Sequence, residues 1–101
     1  MSNFVKVARR DEIADGTGKA VELSGKQVAL FNVGGKFYAI DNVCLHRGGP
    51  LGEGELDGTT VTCPWHGWEY DITTGCNLDD QSKKVTSFNV RIEGDDILIE
   101  T

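Results

Sequence analysis

The sequence predicts an all-β domain. Short apolar runs recur about every ten residues and are separated by glycine-rich turn signals, which is the pattern of strands in a sandwich or small barrel. The 101 residues include thirteen glycines and only two prolines, so the chain can turn often. No stretch keeps the apolar period of about 3.6 residues that indicates a long helix. A chain of this length is expected to form one domain, residues 1–101.

The first half of the chain predicts four strands. Residues 4–8 (FVKVA) alternate apolar and polar side chains, and residues 11–16 (DEIADG) can form one helical turn that a glycine would end. The following apolar runs predict strands at 20–23 (AVEL), 26–33 (KQVALFNV) and 36–40 (KFYAI). Gly34 and Gly35 separate the last two runs and predict a hairpin, because glycine readily adopts the positive φ of a tight turn.

The second half predicts further strands around a loop-rich centre. Residues 59–63 (TTVTC) and 69–72 (EYDI) are two short strand candidates on either side of a loop. Residues 85–92 (VTSFNVRI) and 97–100 (ILIE) are separated by the polar turn EGDD and predict a closing hairpin. Loops held by a rigid sheet are where binding residues are commonly placed.

The charge balance argues against nucleic acid or an anionic membrane as the main partner. The formal net charge is −6 at pH 7, with a pI of about 4.7, and both partners require a basic face. No run approaches the roughly 18 apolar residues of a membrane-spanning helix. The N-terminal segment MSNFVKVARRDEI lacks the apolar stretch of a secretory signal. Three cysteines are an odd number for a disulfide framework, so a reducing compartment and a cytoplasmic location are expected.

Two cysteine–histidine pairs indicate a metal site. Cys44-x-His46 and Cys63-x-x-His66 contain both histidines of the chain and two of its three cysteines. The pairs suit either a structural zinc ion or a [2Fe–2S] cluster in which two histidines ligate one iron. Zinc sites of this composition usually group like ligands together. Here each loop offers one cysteine and one histidine, which favours a cluster that takes one ligand for each iron from each loop.

The segments CLHRG and CPWHGWEYD, which begin at Cys44 and Cys63, resemble the two ligand boxes of Rieske [2Fe–2S] proteins. The resemblance covers the whole chain. It implies a Rieske-like fold of stacked antiparallel sheets, with a small cluster-binding subdomain at approximately residues 42–78 at one end. It also implies one [2Fe–2S] cluster per chain. The implied ligands are Cys44 and Cys63 on one iron and His46 and His66 on the other.

Several positions differ from the high-potential respiratory members of that family. Those proteins bridge the ligand loops with a disulfide at the positions of Gly49 and Trp65, and they carry a hydrogen-bonding serine at the position of Trp68. The family's tyrosine is present as Tyr70, whose hydroxyl is expected to hydrogen-bond the Cys44 sulfur. Loss of hydrogen bonds to sulfur destabilises the more negative, reduced cluster. The resemblance therefore implies a low potential, roughly −150 mV rather than +300 mV.

The implied function is that of a low-potential ferredoxin associated with ring-hydroxylating oxygenases. Such a protein is a one-electron carrier, not an enzyme. It takes electrons from a flavin-containing, NAD(P)H-dependent reductase and delivers them to a terminal oxygenase. An oxygen-activating iron would need two further histidines, and both histidines of this chain are assigned to the cluster. A monomer is the simplest expectation for a diffusing carrier.

Three alternatives remain from the sequence. The first is the small Rieske-like subunit of an assimilatory nitrite reductase. The second is a zinc-stabilised interaction module without a redox role. The third is a hydrolase that uses Cys63 and His66, although the sequence shows no orienting partner for such a pair.

Residues near the boxes lead to smaller predictions. Cys76 is expected to be a buried or partly buried thiol without a ligand role. Trp65 is expected either in the core or at an apolar docking rim, and Arg47 either at the exposed edge of the cluster or in solvent. The acidic runs at 53–57 (EGELD) and 78–80 (LDD) are expected to be solvated loops rather than docking sites.

Overall fold

The computed structural model describes residues 3–45, 48–65 and 67–100, which form three antiparallel sheets. In these ranges the chain has no α-helix, only two 3₁₀ turns at Arg10–Glu12 and Leu51–Glu53, and no helix that could cross a membrane. The strands are β1 (Phe4–Arg9), β2 (Thr17–Leu23), β3 (Lys26–Val33), β4 (Lys36–Asp41), β5 (Glu55–Asp57), β6 (Thr60–Thr62), β7 (Glu69–Asp71), β8 (Ser87–Phe88), β9 (Val90–Glu93) and β10 (Asp96–Glu100). The all-β prediction is confirmed.

The central sheet has the strand order β2-β3-β4-β8 and separates two apolar cores. Side chains alternate along β3, so that Val28 and Leu30 belong to one core and Ala29 and Phe31 to the other. Because β3 is covered on both faces, its sequence is a continuous apolar run rather than an alternating one.

The first core lies between the central sheet and the sheet β1-β10-β9. Ile97 and Ile99 of β10 are fully buried in it, and Phe88 and Val90 pack against it from the segment that joins the two sheets. This core contains neither Cys44 nor Cys63, and its role is to stabilise the scaffold by burying apolar surface.

The second core lies between the other face of the central sheet and the sheet β5-β6-β7. Leu56, Val61 and Tyr70 form one row across the three short strands and point into this core. Cys44 and Cys63 belong to the same core. The cysteines of both predicted ligand pairs therefore lie at the edge of a packed interior.

Most strand predictions are confirmed within one or two residues. The hairpin between β3 and β4 turns at Gly34 and Gly35, whose φ angles of 61° and 91° are positive as expected. β2 is longer than predicted, because Thr17 and Gly18 already pair with β3. The helical turn predicted at 11–16 is only the 3₁₀ turn Arg10–Glu12.

The closing hairpin is confirmed, since β9 pairs with β10. Two details of the predictions were wrong. The first arm of that hairpin does not extend over residues 85–92, because β8 pairs with β4 instead. The chain changes sheets at Asn89, whose side chain donates to the Glu100 carboxylate at 2.7 Å. The acidic run 53–57 is not a solvated loop throughout, because Glu55–Asp57 pairs in register with β6 as strand β5.

Candidate metal centre

The first ligand loop follows β4 and runs from Cys44 to Gly49. The Cys44 N–H donates to the Gly49 carbonyl at 2.9 Å, and the Gly48 N–H donates to the Cys44 carbonyl at 2.8 Å. Gly48 has a φ of 73°, a left-handed conformation that glycine adopts without steric cost. Two backbone hydrogen bonds to Cys44 therefore close this loop.

The second ligand loop joins β6 to β7 and has the same construction. The Cys63 N–H donates to the Trp68 carbonyl at 2.7 Å, and the Gly67 N–H donates to the Cys63 carbonyl at 3.1 Å. Gly67 has a φ of 78° and stands where Gly48 stands in the first loop. The two loops thus match in length, hydrogen bonds and glycine position, and each presents its cysteine at the same corner.

The two predicted histidine ligands, His46 and His66, lie outside the described residues, as does Arg47. Cys44 and Cys63 are therefore the predicted ligands that the structure places. Across residues 3–45, 48–65 and 67–100 there is no group of three or more His, Cys, Asp or Glu side chains that could form another metal site.

Both cysteines are buried thiols, with 2% and 3% of their surface exposed. Gly49 of the first loop passes directly over the second loop. A Cβ on Gly49 would lie 2.6 Å from the Cys63 sulfur and 3.2 Å from Cγ of Trp65. Only glycine allows this approach, and the positions of Gly49 and Trp65 are adjacent, as the family resemblance implied.

Asn42 fastens the base of the first loop. Its carbonyl accepts the Leu51 N–H at 2.8 Å, and its side-chain oxygen accepts the Gly52 N–H at 2.7 Å. Its side-chain amide donates to the Gln27 side chain at 3.2 Å, which ties the loop to the central sheet. Because Asn42 is buried, loss of these bonds would leave polar groups without partners.

Tyr70 places a hydroxyl against the first cysteine. Its oxygen lies 3.4 Å from the Cys44 sulfur and accepts the Leu45 N–H at 3.2 Å. The predicted contact between Tyr70 and Cys44 is confirmed. Burial raises the pKa of Tyr70 to about 12, and the hydrogen bond with Cys44 acts in the same direction. The hydroxyl therefore keeps its proton at neutral pH.

A third loop, residues 77–83, lies beside Tyr70 and the second ligand loop. Asn77 is buried, forms an antiparallel bridge with Tyr70, and closes the loop by donating its N–H to the Lys83 carbonyl at 2.9 Å. The Lys83 ammonium lies 4.9 Å from the centre of the Trp68 ring, a cation–π contact that ties the third loop to the second.

Asn42 and Asn77 were not singled out from the sequence. Both lie in connecting segments, where asparagine is favoured because its side chain bonds backbone N–H groups, as Asn77 bonds those of Asp79 and Asp80. That signal marks many ordinary turns, so it could not have separated these two residues from other loop asparagines. Cys76 is a half-buried thiol as predicted.

The described residues fit an iron–sulfur cluster. Thiolates are the soft, anionic ligands that such clusters use, and Cys44 and Cys63 are presented by matching loops of one core. The Tyr70 hydroxyl beside the Cys44 sulfur is a donor of the kind that tunes cluster potentials.

The model of the Rieske [2Fe–2S] domain family matches residues 3–89 of the sequence. The chain therefore belongs to this family, whose cofactor is a [2Fe–2S] cluster. The predicted family and the predicted cofactor are both confirmed.

Relatives and solved structures agree with the family. The ferredoxin component of the naphthalene 1,2-dioxygenase/salicylate 5-hydroxylase systems of a Ralstonia species is 32% identical, covering 97% of this chain and 95% of that protein. A chain in a complex of reduced oxygenase and oxidized ferredoxin in carbazole 1,9a-dioxygenase superposes with a TM-score of 0.86 at 28% identity, covering 95% of this chain and 91% of that one. A structure described as an NADH-dependent nitrite reductase small subunit from Mycobacterium tuberculosis superposes with a TM-score of 0.92 at 25% identity. The match covers 100% of this chain and 96% of that one.

Proposed function

We propose that this protein is a one-electron carrier, the ferredoxin component of an oxygenase system. The observation that carries the proposal is the pair of matching loops, which hold Cys44 and Cys63 in one buried core of a Rieske-family chain. The carrier takes an electron from a flavin-containing, NAD(P)H-dependent reductase and delivers it to a terminal oxygenase. The protein catalyses no substrate reaction itself.

The proposed ligands are one cysteine and one histidine from each loop. The thiolates of Cys44 and Cys63 hold one iron, and the imidazoles of His46 and His66 hold the other. The bound cluster supplies reversible uptake of one electron. The equal construction of the two loops supports this assignment, because each loop then contributes one ligand to each iron.

The oxygenase is the proposed acceptor because of what the relatives do. The Ralstonia relative is named as a ferredoxin component of dioxygenase and hydroxylase systems, and the carbazole relative forms a complex with its oxygenase. The reductase rests on the family resemblance alone. For this chain we further propose a cytoplasmic location, a monomer and a single domain over residues 1–101, with residues 42–78 as the cluster-binding subdomain.

A second candidate is the small subunit of a nitrite reductase, which the high structural similarity to the Mycobacterium tuberculosis protein favours. Small subunits of nitrite reductases often lack the cysteine and histidine ligands of the cluster. This chain has both cysteines and both histidines. The complete ligand set favours the electron carrier.

Ligand variants test the proposal. Cys63→Ala and His46→Ala should each abolish the visible absorption of the cluster and reduce bound iron to near zero. Cys76→Ser is the matched control, since Cys76 is a half-buried thiol outside both loops, and it should retain wild-type absorption and iron. Bleaching of the Cys76 variant, or full iron in either ligand variant, would overturn the ligand assignment.

A further inference from the structure

The outer face of the sheet β5-β6-β7 carries four carboxylates. Strand register places their side chains in two rows, Glu55–Thr62–Glu69 and Asp57–Thr60–Asp71. The intervening row points into the second core, so these two rows face away from it. The three strands contain no lysine or arginine. One small sheet therefore presents a face of a single charge sign.

Three of these four carboxylates have no neighbour among the described residues that neutralises them, whereas the fourth, Asp71, accepts hydrogen bonds from Thr73. Glu55, Asp57 and Glu69 form no ion pair and no side-chain hydrogen bond with any residue of the described ranges. The ion pairs that are present, such as Lys6–Asp96, lie around the first core. The acidic face thus keeps its charge available for an approaching partner.

A separate, apolar feature lies at the edge of this face. Leu45, Trp65 and Leu78 are 51%, 57% and 46% exposed, and each comes from a different one of the three loops around the cysteines. The Leu45 N–H bonds the Tyr70 hydroxyl, and the Leu78 N–H donates to the Glu69 carbonyl at 3.0 Å. Large apolar side chains exposed together mark contact surfaces for other proteins.

The acidic row and the apolar residues adjoin at the second ligand loop, which contains Trp65, and at Glu69, whose carbonyl accepts the Leu78 N–H. Thr62 directly precedes Cys63 and Glu69 directly follows Trp68, so the row Glu55–Thr62–Glu69 borders the second ligand loop. An apolar centre beside a charged rim is the usual anatomy of a protein interface.

We propose that Leu45, Trp65 and Leu78 together with the row Glu55–Thr62–Glu69 form a docking surface for a partner protein. The partner's face has an apolar centre with lysine and arginine side chains on one side. The acidic row attracts the partner and orients it, because opposite charges raise association rates and disfavour wrong orientations. This inference rests on the proposed function, in which the partner is the terminal oxygenase.

The test uses cytochrome c, a small cationic one-electron acceptor, as the probe. The reduced holoprotein is mixed with it in a stopped-flow instrument at low and high salt. Glu55→Gln/Glu69→Gln should lower the second-order rate constant at low salt by about tenfold. The difference should vanish near 1 M salt, where the screening length is only about 3 Å.

The control, matched in net charge, removes two carboxylates from the opposite end of the molecule, Glu93 and Asp95, which pair there with Arg91 and Arg9. Asp95 lies beside Gly35, which precedes β4, whereas the first ligand loop follows β4, a strand about 20 Å long. Glu93→Gln/Asp95→Asn should therefore leave the rate constant within about twofold of wild type. An equal decrease in both double variants would mean that only net charge matters, and it would overturn the docking surface.

An anionic acceptor separates electrostatics from structural damage. With ferricyanide, Glu55→Gln/Glu69→Gln should react faster than wild type, whereas a damaged cluster would not slow one acceptor and speed the other. Calorimetric titration of oxidised protein with oxidised cytochrome c should show the same loss of affinity without any electron transfer.

The outcomes distinguish the two proposals. A chain without bound iron would refute the electron carrier itself. A chain with an intact cluster and unchanged rates in the Glu55/Glu69 variant would refute only the docking surface. Sedimentation of the holoprotein should show a monomer. A dimer that Leu78→Ser dissociates, while the matched variant Ile92→Ser does not, would make a second copy the occupant and would also overturn the proposal.

Discussion

At the scale of single residues, the hydrogen bond between the Tyr70 hydroxyl and the Cys44 sulfur has a defined donor, which is the hydroxyl. The backbone N–H of Leu45 can only donate, so the Tyr70 oxygen accepts there and its one proton is left for the Cys44 sulfur. A metal-bound thiolate has no proton of its own. The bond therefore stabilises negative charge on sulfur, and it does so more strongly when an added electron increases that charge.

Tyr70→Phe should lower the midpoint potential while leaving the iron in place. Loss of about 1 kcal/mol of preferential stabilisation of the reduced state corresponds to roughly 40 mV for one electron. Redox titration followed by absorption measures the shift, and Tyr38→Phe, on β4 of the central sheet, is the control. An unchanged potential would mean that the hydroxyl only fills space beside the cysteine.

Residue-level prediction from the sequence succeeded where chemistry is unusual. Two cysteine–histidine pairs and a tyrosine of a known pattern are rare combinations, and they led directly to Cys44, Cys63 and Tyr70. Asn42 and Asn77 were missed because their importance depends on burial and on partners distant in the chain. An asparagine in a loop carries no sign of either.

At the scale of elements, the two ligand loops depend on each other at Gly49. The approach of its backbone to the Cys63 sulfur leaves no room for a methyl group, since the contact would be 2.6 Å. Overlap of this size requires the loops to move apart, and the ligand geometry of a cluster held between them would change with that movement.

Gly49→Ala should cause loss of most of the bound iron. Gly58→Ala is the control, because Gly58 lies in the β5–β6 turn with open space around it and a φ of 59°. That variant should keep its iron and lose only about 1–2 kcal/mol of unfolding free energy to left-handed strain. Iron assay and thermal unfolding measure both effects. Full iron in Gly49→Ala would show that the loops can separate without cost to the site.

Element prediction failed where pairing rather than composition decides. β5 consists of Glu-Leu-Asp, residues with little strand preference, and it exists because β6 and β7 continue the sheet beside it. The run 85–92 reads as one strand, and only the positions of β4 and β10 divide it at Asn89. The hairpin at Gly34 and Gly35 was predictable because its turn is local.

At the scale of the whole molecule, the two apolar cores have different roles. The first core contributes to the scaffold and contains neither predicted cysteine ligand, whereas the second core contains both Cys44 and Cys63. Cluster binding should therefore stabilise the second core far more than the first, since binding energy is linked to folding at the site that binds.

Removal of the iron should loosen one end of the protein. Amide hydrogen exchange of the iron-free chain should show lost protection around Val61 and Tyr70, with protection retained in β10 around Ile97. Reconstitution with iron and sulfide should restore it. Equal loss of protection in both cores would show that the cluster stabilises the fold as a single unit.

Whether the two loops hold a mixed-ligand iron–sulfur cluster is best tested by the electron paramagnetic resonance spectrum of the dithionite-reduced protein, with iron and zinc assayed on the same sample. We expect a rhombic signal from a one-electron-reduced cluster with mixed cysteine and histidine ligands, and about two irons per chain. A colourless, silent protein that holds about one zinc would show that the two loops close a structural site, and electron transfer would then be excluded as the function of this centre.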